Sequence, residues 1–234
     1  MKLYPYKTDD IVIAQKDLLS IRRDWFGFFC QTCYHPHVVC MNYAISSRLD
    51  DIDTITDLPA PSVTCIPHFE YWCPKCHHEV EWEGFLDPNI TPMLAELNRK
   101  GYDTIFSCEG HQTVESFYNN ETKMFETTED CYSCPYIYFK NAELREVCKY
   151  VPLLGHWKLD SSGPTKDEFC ISVDEQYRDK NENMAYLKRW VDCLPYVEMH
   201  EFYPDMITRD IEEKIKQAQQ PLTEEELKVE WIKE

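Results

Sequence analysis

The stretch TPMLAELNRKGYDTIFSC, residues 91–108, decides which fold the sequence predicts. Its first half predicts a helix, because Thr91 can act as a cap and Gly101 can end a helix in the left-handed conformation. Three apolar side chains recur at helical spacing between these two residues: Met93, Leu94 and Leu97. The last seven letters, YDTIFSC, are rich in apolar and β-forming residues and predict a buried strand directly after the helix.

Helical and strand patterns continue to alternate downstream of this pair. Strands are predicted for PYIYFK, HWKLDSS and EFCISVDE, and helices for NAELREVCKYV and NENMAYLKRWVDCL. Residues 90–195 therefore follow the order α-β-β-α-β-β-α, whose short β-β connections favour an antiparallel sheet with helices packed on one face. Residues 112–130 are polar and acidic without periodicity, so we predict a mobile loop there.

Two C-x-x-C pairs lie upstream, separated by a spacer of 39 residues. Cys30 and Cys33 form the first pair, and Cys73 and Cys76 form the second. Two turns that each offer two thiolates supply the tetrahedral set of four ligands that zinc prefers. The arrangement resembles the zinc-ribbon class, with an insertion in the spacer, which is usually about 15–20 residues long. We therefore predict one structural zinc, in a closed site without an open position for catalysis.

A second set of candidate ligands surrounds the end of the predicted strand. Cys108 and His111 follow that strand, and Cys131 and Cys134 precede the next one. If neighbouring antiparallel strands bring these ends together, the four residues can hold a second zinc. Two alternatives stay open: a tight glycine turn with a buried Cys108 and a surface C-x-x-C, or a site where Cys108 is a nucleophile and His111 its base. Glu109 belongs to that catalytic alternative, whereas under the zinc hypothesis Glu109→Gln should leave metal content and stability almost unchanged.

These patterns predict an α+β protein in three parts. We predict a zinc-ribbon-like module with an N-terminal segment over residues 1–86, an α+β body over 87–200 and a helical extension over 201–234. In the extension, Thr223 and Glu226 have the spacing of a capping box. Three residues of an earlier helix there are spaced to dock on the body: Ile211, Ile215 and Ala218.

Composition excludes several classes of function and partner. The net charge is −18, which argues against a nucleic-acid groove or an anionic membrane as the main partner. The six glycines match neither a Rossmann fingerprint nor a P-loop, and no G-x-S-x-G elbow exists. No apolar run approaches about 18 residues, and residues 1–10 lack the apolar core of a signal peptide. We therefore expect a cytoplasmic protein whose twelve cysteines are reduced.

The sequence LAELNRKGYDTIFSCEGH at residues 94–111, followed by YIYF, resembles a group of uncharacterised phage and mobile-element proteins. The resemblance covers about residues 88–174 and implies a phage or plasmid source in a Gram-positive host, without implying a mechanism. We therefore expect a zinc-stabilised, non-enzymatic binding protein that engages a host protein or a small ligand, for instance to counter a defence system. The alternatives are a metal- or thiol-dependent enzyme with its site around Cys108, Glu109 and His111, and a structural or regulatory accessory protein.

Overall fold

The computed structural model of the chain describes residues 7–8, 11–12, 18–46, 63–65, 72–80, 86–119, 124–160 and 168–228. The protein is α+β with antiparallel sheets, as the sequence predicts. The strands are β1 (Lys7–Thr8), β2 (Ile11–Val12), β3 (Leu18–Phe29), β4 (Pro36–Ser46), β5 (Val63–Cys65), β6 (Thr104–Cys108), β7 (His111–Asn119), β8 (Met124–Ser133), β9 (Tyr136–Phe139), β10 (Trp157–Asp160) and β11 (Phe169–Val173). The α-helices are α1 (Thr91–Arg99), α2 (Lys180–Cys193), α3 (Arg209–Ala218) and α4 (Glu224–Leu227), and two 3₁₀ helices span Ala142–Lys149 and Pro204–Met206.

The body is built on a four-stranded antiparallel sheet in the order β10-β11-β9-β6. Alternate side chains of its two central strands are fully buried, including Ile137 and Phe139 on β9 and Phe169 and Ile171 on β11. The rings of Phe139 and Phe169 stack with centroids 4.5 Å apart. The apolar stripes of α1 and α2 join the same core, so the helices pack on one face of the sheet.

Helix α1 follows the prediction along its length but not at its start. Its apolar stripe is buried, and Gly101 ends the helix with φ = 91°. Thr91, however, is the first helical residue and not the cap, and its hydroxyl donates a hydrogen bond to the Asp87 carbonyl (2.9 Å). No side chain of the residue preceding the helix caps it, so its first amides need an acceptor from elsewhere in the chain.

Residues 112–130 do not form the predicted loop, and that prediction is wrong. They make up most of an antiparallel hairpin of β7 and β8, which pair from His111 and Ser133 to Asn119 and Met124. Strands β6 and β9 continue this pairing, so the four strands form one long two-stranded ribbon, interrupted at residues 109–110. The stretch lacks the apolar alternation of a half-buried strand, and backbone pairing alone extends the ribbon.

The segment NAELREVCKYV is a 3₁₀ helix, Ala142–Lys149, where the sequence predicts a helix. Its Leu144 and Val147 are fully buried and Cys148 is half-buried. The apolar spacing therefore predicts the buried side correctly, since side chains three apart share a face in both helix types.

The C-terminal extension is docked on the body through α2. Ala218 of α3 is buried in the main core, and the predicted capping box of Thr223 and Glu226 begins α4. Arg189 of α2 forms a two-pronged ion pair with Glu226, with both nitrogen–oxygen distances 2.6 Å. The same guanidinium donates to three carbonyls of the connecting segment, those of Ala218, Gln220 and Pro221.

The first sheet, β3-β4-β5, contacts the body at a glycine. Gly27 of β3 exchanges two backbone hydrogen bonds with Leu86, with lengths of 2.8 and 2.9 Å. A Cβ atom on Gly27 would overlap the side chain of Thr91, so only glycine allows β3 to approach the start of α1 this closely. The division of the chain at residues 86 and 200 stays a prediction. None of the helices in the described ranges has the length and apolarity needed to cross a bilayer.

The ion pair between Arg189 and Glu226 predicts an acid-sensitive extension. Hydrogen bonds from Arg189, then from the Thr223 amide, lower the pKa of Glu226 from 4.5 to about 2. Because the folded pKa is depressed, this stabilisation is complete above pH 4.5 and is lost as the pH falls towards 2. At pH 7, we expect Glu226→Gln to lower Tm by about 2 °C, for an ion pair worth roughly 1 kcal/mol.

The control is Glu224→Gln, which removes an exposed ion pair with Lys228 on the same helix. Thermal melting at several pH values should show the gap between wild type and Glu226→Gln closing between pH 4.5 and 2. A gap that does not depend on pH, or one that is equally large for Glu224→Gln, would contradict the assignment.

Candidate metal centre

The first cysteine pair lies on the tight turn between β3 and β4. The Cys30 amide donates a hydrogen bond to the His35 carbonyl (3.0 Å), and the Tyr34 amide donates to the Cys30 carbonyl (2.7 Å). Tyr34 has φ = 53°, in the left-handed region that non-glycine residues seldom occupy. This reversal closes the turn directly after Cys33 and fixes the backbone that carries both thiols.

The second pair repeats this turn 43 positions later in the sequence. The Cys73 amide donates to the His78 carbonyl (2.9 Å), and the His77 amide donates to the Cys73 carbonyl (2.8 Å). His77 also has a left-handed backbone, with φ = 62°. An antiparallel bridge between Trp72 and Glu79 flanks this turn, as the β3–β4 ladder flanks the first. The two knuckles are thus equivalent in backbone structure.

The four sulfur atoms of the knuckles converge. Cys30 Sγ lies 3.5 Å from Cys76 Sγ, and Cys33 Sγ lies 3.6 Å from Cys73 Sγ. All four sulfurs are within 4.8 Å of one another. A tetrahedron with metal–sulfur bonds of about 2.3 Å has edges of roughly 3.8 Å, so this spacing suits four thiolates around one ion. The structure therefore brings together the four cysteines selected from the sequence, and they could hold a metal ion.

The thiols of this cluster differ in acidity. Burial opposes ionisation of Cys30, but hydrogen bonds from the amides of Cys33 and Thr32 outweigh it and lower the pKa to about 7. For Cys76, a hydrogen bond from the His78 amide lowers the pKa, but burial and the neighbouring thiols outweigh it and raise the pKa to about 12. Negative charge is thus readily held on one sulfur and opposed on another. A cation at the centre of the cluster would supply the charge that lets all four ionise.

The nearby histidines surround the cluster without joining it. His37 is almost fully buried and stacks on Phe28, with ring centroids 5.1 Å apart. Burial, together with the neighbouring His35, lowers the pKa of His37 and favours its neutral form. His77 and His78 are exposed on the second knuckle. Among the described residues, the group of converging ligand atoms consists of cysteines alone.

The second predicted ligand set is only partly described. The ribbon carries Cys108 and His111 on one strand run and Cys131 and Cys134 on the opposite run, across the interruption at residues 109–110. Cys108 is buried and Cys134 is half-buried. The side chains of His111 and Cys131 lie outside the described residues, so the second zinc stays a prediction.

Glu109 has a structural role that the sequence analysis missed. Its side chain is 1% exposed, and its carboxylate accepts hydrogen bonds from the Asn89 amide (2.7 Å), the Asn89 side chain (2.9 Å) and the Ile90 amide (3.2 Å). Lys180, at the start of α2, forms an ion pair with the same carboxylate. The Glu109 amide in turn donates to the Asp87 side chain (2.9 Å). Glu109 therefore caps the exposed amides of α1 from a distant part of the chain.

This arrangement changes what is expected of the SCEGH turn. Both carboxylate oxygens of Glu109 are occupied by hydrogen bonds or the ion pair, so this residue is not poised to move a proton. The expectation that Glu109→Gln leaves stability almost unchanged is therefore reversed. No local pattern predicts the contact, although the missing cap before Thr91 signals that a distant acceptor is needed.

No protein-family model matches the chain, and neither curated proteins nor solved structures give a match. The resemblance of residues 88–174 to phage and mobile-element proteins therefore stays a prediction. Function is inferred below from the geometry of the sites alone.

Replacing Glu109 should destabilise the body. Glu109→Gln removes the charge that balances Lys180 and places an amide donor against donors, so we expect a loss of roughly 2–3 kcal/mol in the free energy of unfolding. Urea denaturation measures this quantity. The control is Glu146→Gln, which breaks an exposed pair with Lys149 and should change stability by less than about 0.5 kcal/mol. Equal effects of the two substitutions would show that Glu109 is not a cap.

Replacing each knuckle cysteine should have the same consequence, because the two turns are equivalent. Each single change to serine removes one ligand from the same tetrahedron, so all four variants should lose bound metal and melt at lower temperature. Cys148→Ser is the control, because this thiol is remote from the cluster in the 3₁₀ helix. Elemental analysis and thermal melting are the measurements. A knuckle variant that keeps wild-type metal content and Tm would remove that cysteine from the ligand set.

Proposed function

We propose that the protein is a zinc-stabilised, non-enzymatic binding protein in which the four-cysteine cluster is a structural zinc site. The observation that carries the proposal is the convergence of four sulfurs at the spacing of a tetrahedron's edges. Tetrahedral sets of four thiolates select zinc or iron, and zinc is the usual ion in knuckle pairs that lack redox partners. With four protein ligands, no position is open for a substrate or an activated water.

A structural role also agrees with how little apolar core surrounds the knuckles. The buried cluster there contains only Phe28, Cys30, Cys73 and Val80. Burial of two non-cysteine side chains supplies too little free energy to order two separate turns, since each ordered residue costs about 1–2 kcal/mol of backbone entropy. Metal binding would supply the difference, as it does in small zinc domains.

The partner is proposed to be a host protein or a small ligand, and the gene is proposed to belong to a phage or mobile element. The SCEGH-containing motif at residues 94–111 supports the second point. The net charge of −18 supports a partner other than nucleic acid or an anionic membrane. Nine cysteines with described side chains are free thiols, which supports a reducing, cytoplasmic setting.

The enzyme alternative has weaker support from the geometry. Cys108, its candidate nucleophile, is only 5% exposed, which leaves little access for a substrate. Glu109 is committed to α1 and Lys180. Both observations favour a structural turn at residues 107–111 over a catalytic one.

Metal analysis of the purified full chain tests the proposal. Protein produced without added metal should contain at least one zinc per chain, and two if the second ligand set also binds. Removal of zinc with a chelator should raise amide hydrogen exchange around residues 28–37 and 72–80 while α2 stays protected, because only the knuckles depend on the ion. Iron in place of zinc, or a metal-free chain with protected knuckles, would overturn the structural-zinc proposal.

A further inference from the structure

A cleft of about 640 Å³ lies between the C-terminal ends of α1 and α2 and the side of α3. This volume falls within the range of small-molecule binding sites, roughly 300–1,000 Å³. The C-terminal extension forms one wall, since α3 contributes Lys214 and Gln217. The cleft is remote in sequence from the four cysteines, which all precede residue 77.

The cleft reverses the charge of the rest of the chain. Its lining contains four cations, Arg99, Lys100, Arg189 and Lys214, and three carboxylates, Glu96, Asp192 and Glu226. The local balance is therefore positive in a protein whose net charge is −18. An anion would gain free energy by entering this cleft, although the surrounding protein repels it.

The carboxylates of the lining are already committed to particular partners. Glu96 forms a two-pronged pair with Arg99, and Asp192 pairs with Lys188 at 2.7 Å. Glu226 is held by the Arg189 guanidinium of α2, as described above. Two cations of the lining thus lack a carboxylate of their own.

Lys100 is the first of these cations and is buried at the floor of the cleft. Its side chain is 6% exposed, and its ammonium donates hydrogen bonds to the carbonyls of Val191 (2.8 Å), Leu194 (2.7 Å) and Asp192 (3.3 Å). These acceptors are neutral, and Glu96 lies 3.9 Å away while engaged with another partner. The end of the α2 dipole offsets only part of the charge. Burial lowers the pKa of Lys100, and nearby Lys214 lowers it further, which shows that negative charge is scarce around it.

Lys214 and Tyr196 form the outer part of the cleft. Lys214 is exposed on α3 and makes no ion pair within 4 Å to the part of the chain that the structure describes. The Tyr196 ring is 54% exposed, and the Arg99 guanidinium lies 4.9 Å from its centroid. An exposed aromatic ring beside unmatched cations offers a surface on which a planar group can stack.

We propose that this cleft binds a small organic anion that carries a planar ring, with the anionic group between Lys100 and Lys214 and the ring against Tyr196. The proposal deepens the proposed function, because it rests on the protein being a binding protein and names the class of ligand. The confined volume admits one ligand of mononucleotide size, and the acidic remainder of the surface excludes a nucleic-acid polymer.

Calorimetric titration of the full, zinc-replete chain with 5′-AMP at about 50 mM salt tests the proposal. AMP joins an anion to a planar ring, and adenosine and inorganic phosphate each carry one half of that chemistry. We expect AMP to bind at least about tenfold more tightly than either fragment, and to bind more weakly as salt rises. No detectable binding at millimolar AMP, or equal affinity for AMP and phosphate, would overturn the proposal.

Variants of the cleft assign the binding to its residues. Lys214→Ala and Tyr196→Leu should each weaken AMP binding by about tenfold, since each removes a contact worth one charge-assisted or stacking interaction. Lys216→Ala, on the same helix but outside the cleft, should bind AMP like the wild type. Equal losses in Lys214→Ala and Lys216→Ala would overturn the assignment.

Zinc content and melting temperature measured on the same samples separate this proposal from the function on which it rests. A folded, zinc-replete chain that does not bind AMP overturns the cleft alone. A folded chain without zinc overturns the structural-zinc proposal, whatever the result for AMP.

Discussion

The buried carboxylate of Glu109 is the interaction on which the body of the protein depends. It joins the start of α1, the interruption of the ribbon and, through Lys180, the start of α2. At the other end of the two helices, the Lys100 ammonium reaches from α1 to the last carbonyls of α2. One anion and one cation therefore hold the α1–α2 pair at its two ends, and both are satisfied by the helix termini that they meet. The apolar stripes supply the free energy of packing, while these two charges fix how the helices are aligned.

The four-cysteine cluster performs the corresponding task for the N-terminal part of the chain, with a different kind of interaction. Its two knuckles share the same hydrogen bonds and the same left-handed residue, Tyr34 in one and His77 in the other. Two copies of one turn, placed face to face, present four sulfurs without help from an extended core. The body relies on burial and satisfied charges, whereas the knuckles rely on ligand convergence.

Local patterns in the sequence predict most of the fold. The stripe of α1, the strands β9, β10 and β11, and the pairing of the two C-x-x-C turns all depend on residues close together in the chain, and each is found in the structure. The contacts of Glu109 and Lys100 could not be predicted, because their partners lie more than 70 residues away on α2. The β7–β8 hairpin was missed for a different reason, since it has no apolar alternation to reveal it.

The spacer between the knuckles shows what this design leaves unconstrained. An ion held by both turns closes a loop through 39 residues, and the entropy of closing a flexible loop rises only with the logarithm of its length. Doubling such a spacer would cost about 0.6 kcal/mol, against about 10–16 kcal/mol for binding a structural zinc. The chain between Tyr34 and Trp72 can therefore gain or lose residues over evolutionary time while the knuckles stay fixed, which makes it the natural place for this protein to vary.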